Sequence, residues 1–342
     1  MNRRSGRVTS VRFHHAAEMP SEGARRPDET TCANAIFQQP WWLDAVAPGR
    51  WGESTVERGG RIVARLPFVV RGRGRLRMLT MPPLTQTLGP WVEPSTAKPA
   101  NALSEEHVLL AELEAGLPAA EVFDQHFSPT MLNALPFYWQ GYRLELAYTY
   151  RLAALGSEEE LWSGLRSSAR SQIRKARTRV EVREDLGLDQ LYAVWARMFD
   201  RLGRRPPLSL AAFERLDSAC AARGARAMLF AQDDAGRIHA VAYTVWDEHA
   251  AYYLLGGGDP ALRASAAGSL LMWEAIMRAR NVTDLFDFEG SMIEPVERFF
   301  RTFGARQAPY LRVVRAPARA RAALAVRAGA LQLAARTRTR AR

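Results

Sequence analysis

Cysteine is nearly absent from this 342-residue chain: Cys32 and Cys220 are the two it has, far apart and with no His or Cys beside either at ligand spacing. That excludes a disulfide framework and supplies no zinc motif, so no metal is expected. Long apolar runs are missing too. None approaches the roughly 18 residues that cross a bilayer, and the opening MNRRSGRVTSVRF develops no apolar signal-peptide core. A cytoplasmic protein without a transmembrane segment is the expectation. Lysine is scarce as well, with Lys98 and Lys175 the only two among 47 basic residues.

What is abundant is arginine, and the formal charge of +11 is unevenly placed. Residues 316–342 carry seven Arg and no acid, and residues 166–183 carry seven basic residues against one Glu. The remainder is slightly acidic. The charge therefore speaks for two local features and not for a basic globule. Residues 1–34 are polar, Arg-rich and aperiodic, which predicts a disordered arm. The 316–342 segment reads as an Arg/Ala-rich tail, either solvated or able to touch tRNA or an anionic membrane surface.

The densest polar chemistry lies at residues 286–306, FDFEGSMIEPVERFFRTFGAR. Shifted by 163 positions, residues 122–143 align with it without a gap: Phe123 with Phe286, Asp124 with Asp287, Phe137 with Phe300, Gly141 with Gly304, Arg143 with Arg306. A period this long suits a duplicated domain, not a solenoid. The expected division is a first, degenerate lobe at 35–153, a basic connecting helix at 154–179, and a second lobe at 180–315.

In the first lobe, strand-like runs at 54–57, 61–70 and 75–81 form a meander. The turn-rich loop at 84–91 offers Gln86 and Trp91 as cleft lining. Ser104 is expected to cap a helix ending near Gly116, followed by a strand at 122–127, a helix at 130–140 and a strand at 142–152. Ser157 with Glu160 makes a capping box, and one helix is expected from there toward Arg177. Its Arg166, Arg170, Arg174 and Arg177 fall on one helical face, and with Lys175 they are either a solvated face or an anion site for a phosphate-bearing substrate. In the second lobe two helices precede strands at 227–231, 238–246 and 250–255. A glycine break at 256–258, a helix from Gly268, a strand at 283–288, a helix at 295–303 and a last strand at 310–315 follow.

Two helices, three antiparallel strands, a glycine-marked break, then helix, strand, helix, strand is an order that resembles the GNAT acyltransferase fold. Arg263-Ala264-Ser265-Ala266-Ala267-Gly268 resembles that family's acyl-CoA pyrophosphate loop, with Ala266 where Gly is usual. Phe37-Gln38-Gln39-Pro40-Trp41-Trp42, the Arg166–Ala176 region, and Asp287-Phe288-Glu289-Gly290-Ser291 with Phe299-Phe300-Arg301-Thr302-Phe303-Gly304 are similar to the Fem-like tandem GNAT group, which includes the BioF2-like or CelD-like acetyltransferases. The resemblance spans about residues 37–315. It implies an α+β fold of two tandem GNAT-like lobes, each a mixed, mostly antiparallel sheet flanked by helices. It also implies a donor on the second lobe, held by Arg263, Ala266, Ala267, Gly268 and Ser269, with no bound cofactor. The donor is acyl-CoA or, alternatively, aminoacyl-tRNA; the acceptor is a small-molecule or peptide amine in the cleft between lobes. The coiled-coil arm of some members has no heptad run here.

Amide formation needs a neutral amine, a positioned carbonyl and donors for the oxyanion; only an amine of high pKa strongly requires a base. Glu289 is the candidate base and Asp287 the second, because alternation along a strand puts both on one face. The first lobe has Asp124 and His126 at those positions, so Glu289 is what the second copy alone possesses. Tyr243, Tyr252 and Tyr253 read as core, although a strand-end Tyr could act as an acid. His239 and His249 find no evident partner and receive no role. A non-catalytic polyanion- or nucleotide-binding protein is the rival from another class.

Overall fold

The computed structural model describes residues 7–14, 30–72, 77–200, 203, 205–290 and 292–318. In chain order the elements are β1 (Arg7–Phe13), α1 (Pro40–Val46), β2 (Trp51–Arg58), β3 (Arg61–Arg71), β4 (Met78–Thr80), β5 (Trp91–Val92), α2 (Pro99–Ala115), β6 (Val122–His126), α3 (Leu135–Trp139) and β7 (Arg143–Ala153). There follow α4 (Glu158–Gly164), α5 (Ser167–Arg177), β8 (Glu181–Arg183), α6 (Leu188–Asp200), α7 (Leu210–Ala221), β9 (Arg226–Gln232), β10 (Ile238–Trp246), β11 (Ala251–Gly258), α8 (Ala267–Ala279), β12 (Leu285–Asp287), α9 (Glu294–Phe300) and β13 (Arg306–Arg315). The described residues divide into two compact units, those up to 147 with 309–318, and those from 148 to 308. The first crossing falls within β7 and the second within β13.

In the first unit the strands run β1-β2-β3-β4-β6-β13, with β5 also on β3; β4 and β6 are parallel and the other pairs antiparallel. α2 turns Leu109, Leu110 and Leu113 into a core with Phe68, Phe123, Phe137 and Val313. β1 corrects the expectation of a disordered arm: residues 7–13 pair along β2 from Arg7↔Arg58 to Phe13↔Gly52. Residues 1–6 and 15–29 of that arm, and the tail from residue 319, lie outside the described residues. α2 begins not at Ser104 but at Pro99, whose fixed φ suits the first helical turn; the Ser104 hydroxyl donates to the Ala100 carbonyl instead. α3 is shorter than expected because Pro136 is tolerated only in a first turn.

The second unit orders its strands β7-β12-β11-β10-β9-β8, with β11 and β12 parallel. Its core gathers Leu229, Ala242, Leu270, Trp273, Ile276, Phe286, Phe288 and Phe300. Leu165, Ala169, Ile173 and Ala176 join them, so residues 154–179 are not a linker but part of this unit. The capping box at Ser157 and Glu160 forms as expected, yet the single helix expected beyond it is two. Leu165 and Arg166 are extended, the Arg166 N–H donates to the Thr302 carbonyl, and the Arg170 guanidinium binds the carbonyls of Trp162, Ser163 and Leu165. That guanidinium satisfies the carbonyls freed at the end of α4.

The 163-residue repeat holds element by element. β6 corresponds to β12, α3 to α9, and β7 to β13. Gly141 and Gly304 both end their helical segments with φ near +80°. Asp124 and Asp287 both accept an arginine, Arg312 and Arg151 respectively.

Candidate active site

β11 and β12 are paired only at Ala251↔Phe286 and Tyr252↔Asp287. Beyond those pairs β12 stops while β11 continues to Gly258 without it. A cleft of about 410 Å³ lies along that continuing end of β11, lined by Tyr253, Gly256–Gly258, residues 259, 260, 263 and 265–269, Val296, Phe299 and Phe300, with Met198 and the β10 residues His239, Ala240 and Val241 also in its lining. The ladder between β10 and β11 slips between Tyr243 and Thr244, leaving Leu254 without an opposite residue. Such a bulge re-aims backbone groups away from the ladder. Gly256 is required by close approach: a Cβ there would sit 1.6 Å from the Tyr253 hydroxyl. Burial pushes the titration of that hydroxyl up, so it stays protonated.

The far end of the cleft is the N-terminus of α8. A 3₁₀ turn at Arg263–Ser265 leads to Ala266, which takes the left-handed conformation, φ 61°. Glycine adopts this freely, whereas a Cβ costs about 1 kcal/mol; the loop therefore keeps its shape at the expense of strain. The Ala267 N–H donates to Ser265 Oγ at 3.3 Å and the Ser269 N–H to the Ala266 carbonyl at 3.0 Å. Gly268 N–H has no acceptor among the described residues, and a Cβ on Gly268 would meet nothing within 4 Å. A 13-residue helix thus presents its positive end to open space, a site suited to a phosphate. Arg263, Ala266, Ala267, Gly268 and Ser269 all line this wall. The Ser269 hydroxyl is committed, donating to Gln172 Oε1 at 2.6 Å.

The two carboxylates come together, but not as strand neighbours on one face. β12 ends at Asp287, and Glu289 and Gly290 follow with φ 59° and 62°. The Glu289 N–H donates to Asp287 Oδ1 at 2.8 Å, closing an Asx turn. Gly290 is needed there, since a Cβ would lie 2.4 Å from the Tyr148 carbonyl. Asp287 is 1% exposed and fully engaged: it also accepts the Thr149 hydroxyl and, at 2.7 Å, Arg151 Nε. It positions the turn and has little capacity left to act as a base. Glu289 differs, because its Oε1 is hidden from solvent without a partner among the described residues. Burial, followed by the negative charge of Asp287, holds its carboxyl well above the usual range. Glu289 does not itself line the cleft.

The expected arginine row is not brought to the cleft. Arg166 precedes α5 as its cap residue, Arg170 serves the end of α4, and Arg174 stacks over the Trp162 ring at 5.5 Å with Arg177 at 5.8 Å. Arg166, Arg174 and Lys175 are exposed. Gln86 and Trp91 belong to the first unit, where the Gln86 carbonyl faces His126 Nδ1 at 3.0 Å and Trp91 pairs with Arg65. Sequence reasoning left out Tyr253 as a cleft residue and the His239–Asp233 pair, Nε2 to Oδ2 at 3.0 Å. The signal for the pair was a histidine two residues beyond an Asp-rich turn. His249, expected to stand alone, shares the β10–β11 turn with Asp247 and Glu248, one ligand atom from each lying within 4.8 Å of the others.

Residues 163–292 match the family described as acetyltransferase (GNAT) domain. No curated protein matches the chain. Among solved structures, FemX aligns over 81% of this chain and 91% of its own at 14% identity, with a TM-score of 0.59. A tandem GNAT protein from the clavulanic acid biosynthesis pathway covers 81% and 87% at 11% identity and TM-score 0.49. The C-terminal domain of a putative lysylphosphatidylglycerol synthetase from Agrobacterium fabrum covers 76% and 83% at 16% identity and TM-score 0.46. At these identities the likeness is one of fold, and it rests on the first. Residues 163–292 thus match a GNAT acetyltransferase domain, in a chain whose fold is similar to that of FemX.

Proposed function

We propose that the chain moves an acyl group from an acyl thioester of coenzyme A to an amine, forming an amide, in the cytoplasm. The observation that carries this reading is the cleft along the end of β11, beyond its pairing with β12, which ends on the open N-terminus of α8. The pyrophosphate would sit at the Gly268 N–H with Arg263 beside it, and the pantetheine arm would pass the glycine run. The amine nitrogen attacks the thioester carbonyl carbon; the C–N bond forms, the C–S bond breaks, and the thiolate leaves to be protonated by solvent. The bulge at Leu254 offers a backbone donor to the oxyanion, a contribution of about 3 kcal/mol for one well-placed donor. Tyr253, kept protonated by burial, adds a second. Glu289 takes the proton from the amine, its raised pKa making the ionised form a stronger base.

One observation favours aminoacyl-tRNA as the donor instead. Arg166, Arg174 and Lys175 are exposed around α5, which packs against α8 in the same unit, and such cations suit a nucleic-acid backbone. The deciding experiment is to incubate the purified protein separately with acyl-CoA and with charged tRNA and a panel of amines. Melting shifts and amide product are then followed. Saturable stabilisation and product with acyl-CoA alone are expected; product from charged tRNA alone would transfer the reading to aminoacyl transfer. Binding without turnover on either donor would leave a nucleotide-binding protein.

A further inference from the structure

His239 lies in the wall of the donor cleft and is 8% exposed. Its Nε2 is 3.0 Å from Asp233 Oδ2. Asp233 is itself fixed: the N–H groups of Ala235 and Arg237 donate to Oδ1 at 3.2 and 2.8 Å, and Arg237 Nε donates to Oδ2 at 2.8 Å. The hydrogen bonds from Arg237 and then His239 hold this carboxyl below the usual range, so it is ionised and only accepts. Whenever the ring carries a single proton, this contact places it on Nε2 and leaves Nδ1 as an acceptor. Nδ1 is shielded from solvent and has no partner among the described residues. A buried acceptor of this kind calls for a donor from outside the chain.

The backbone gives the residue its place. Pairing of β9 with β10 slips between Ile238 and Ala240, which leaves His239 as the bulge. Its carbonyl accepts the Asp259 N–H at 2.9 Å, and Asp259 opens the loop that leads to α8. Met198 and Phe299 line the same cleft and supply the apolar surface against which a flat base packs.

We propose that His239, oriented by Asp233, recognises the adenosine of the donor by accepting a hydrogen bond from its amino or hydroxyl group. Adenosine is the part that coenzyme A and the 3′ end of a charged tRNA have in common, and the inference rests on the donor reading above. The test is calorimetric titration of the full chain with coenzyme A, with 4′-phosphopantetheine, which lacks the adenosine, and with a charged RNA minihelix. His239→Leu should weaken coenzyme A binding about tenfold, the loss of one hydrogen bond, and leave phosphopantetheine binding unchanged. His239→Asn, which keeps an acceptor in a smaller side chain, should fall between the two and serves in place of His239→Leu if the latter does not fold. A tenfold loss seen with the minihelix alone would assign the adenosine to tRNA and uphold the inference. Unchanged binding of both coenzyme A and the minihelix in both variants, or an equal loss for phosphopantetheine, overturns it while the donor reading stands. No binding of any probe by the unsubstituted protein overturns both.

Discussion

Glu289 concentrates three unfavourable features in one residue: a left-handed φ, a hidden Oε1 without a partner among the described residues, and the neighbouring charge of Asp287. Because its folded pKa is raised, the folded state holds the proton more tightly than the unfolded chain. The stability this gives is full below about pH 4.3 and is lost as pH rises through the folded value. Glu289→Gln should therefore raise the melting temperature at neutral and alkaline pH and flatten its fall with pH. The same substitution should lower kcat by about 10²–10⁴ with donor affinity unchanged. In the unsubstituted enzyme the acid limb of kcat/KM should lie well above the range of an ordinary carboxylate. Lower melting temperature together with full activity would remove Glu289 from the mechanism. The sequence singled out this residue because its counterpart is His126. It did not show how Glu289 is held, since the sign of φ after a strand end leaves no mark in an alternating pattern. Nor did it show that Asp233 reaches His239, a contact that depends on how the 233–237 turn closes.

Among elements, α8 is the one whose N-terminus makes the cleft, and Gly268 tests it. A side chain at 268 would meet no protein atom within 4 Å, so Gly268→Glu should fold with a melting temperature close to that of the parent. A carboxylate at the positive end of the helix would nonetheless occupy and neutralise the phosphate site. Donor binding by calorimetry should be abolished; retained affinity would move the phosphate site elsewhere. The start of α8 was legible from the glycine-marked break. The two-helix nature of residues 158–177 was not, because the apolar positions Leu161, Leu165, Ala169 and Ile173 continue through the break. What interrupts the helix is Arg170 turning back onto three carbonyls, a tertiary choice for a residue that reads as solvated.

For the molecule as a whole, acid should act first on the first unit. Burial pushes Glu53 up, but the Arg65 guanidinium at 2.7 Å and His14 more than offset it, leaving the carboxyl at about 2. A depressed carboxylate contributes stability that is full above about pH 4.3 and is lost as pH falls toward 2, on the order of 3 kcal/mol. Arg65→Ala should remove about 3–5 kcal/mol at pH 7 by stranding that charge, and should shallow the acid unfolding curve. Chemical denaturation at pH 7 and pH 3 checks both; equal loss at the two pH values would mean that packing, not charge, is at stake. The repeat made the two-lobe plan readable from sequence. The crossings within β7 and β13 were not, since a strand looks alike whichever sheet receives it. A fragment ending at Ala147 should accordingly fail to melt cooperatively by circular dichroism, because it lacks Val313, a member of its core, and the partner of β6.

The return of β13 also bears on synthesis. The first unit is encoded almost entirely at the start of the chain, yet β6 receives Arg312–Arg315 only near its end. At roughly 5–20 residues per second, the nascent first lobe waits on the order of ten seconds to half a minute on the ribosome with Phe123 and Phe137 incompletely covered. Over that interval it is a substrate for chaperones, and the second lobe finishes its own central strands before the first is closed.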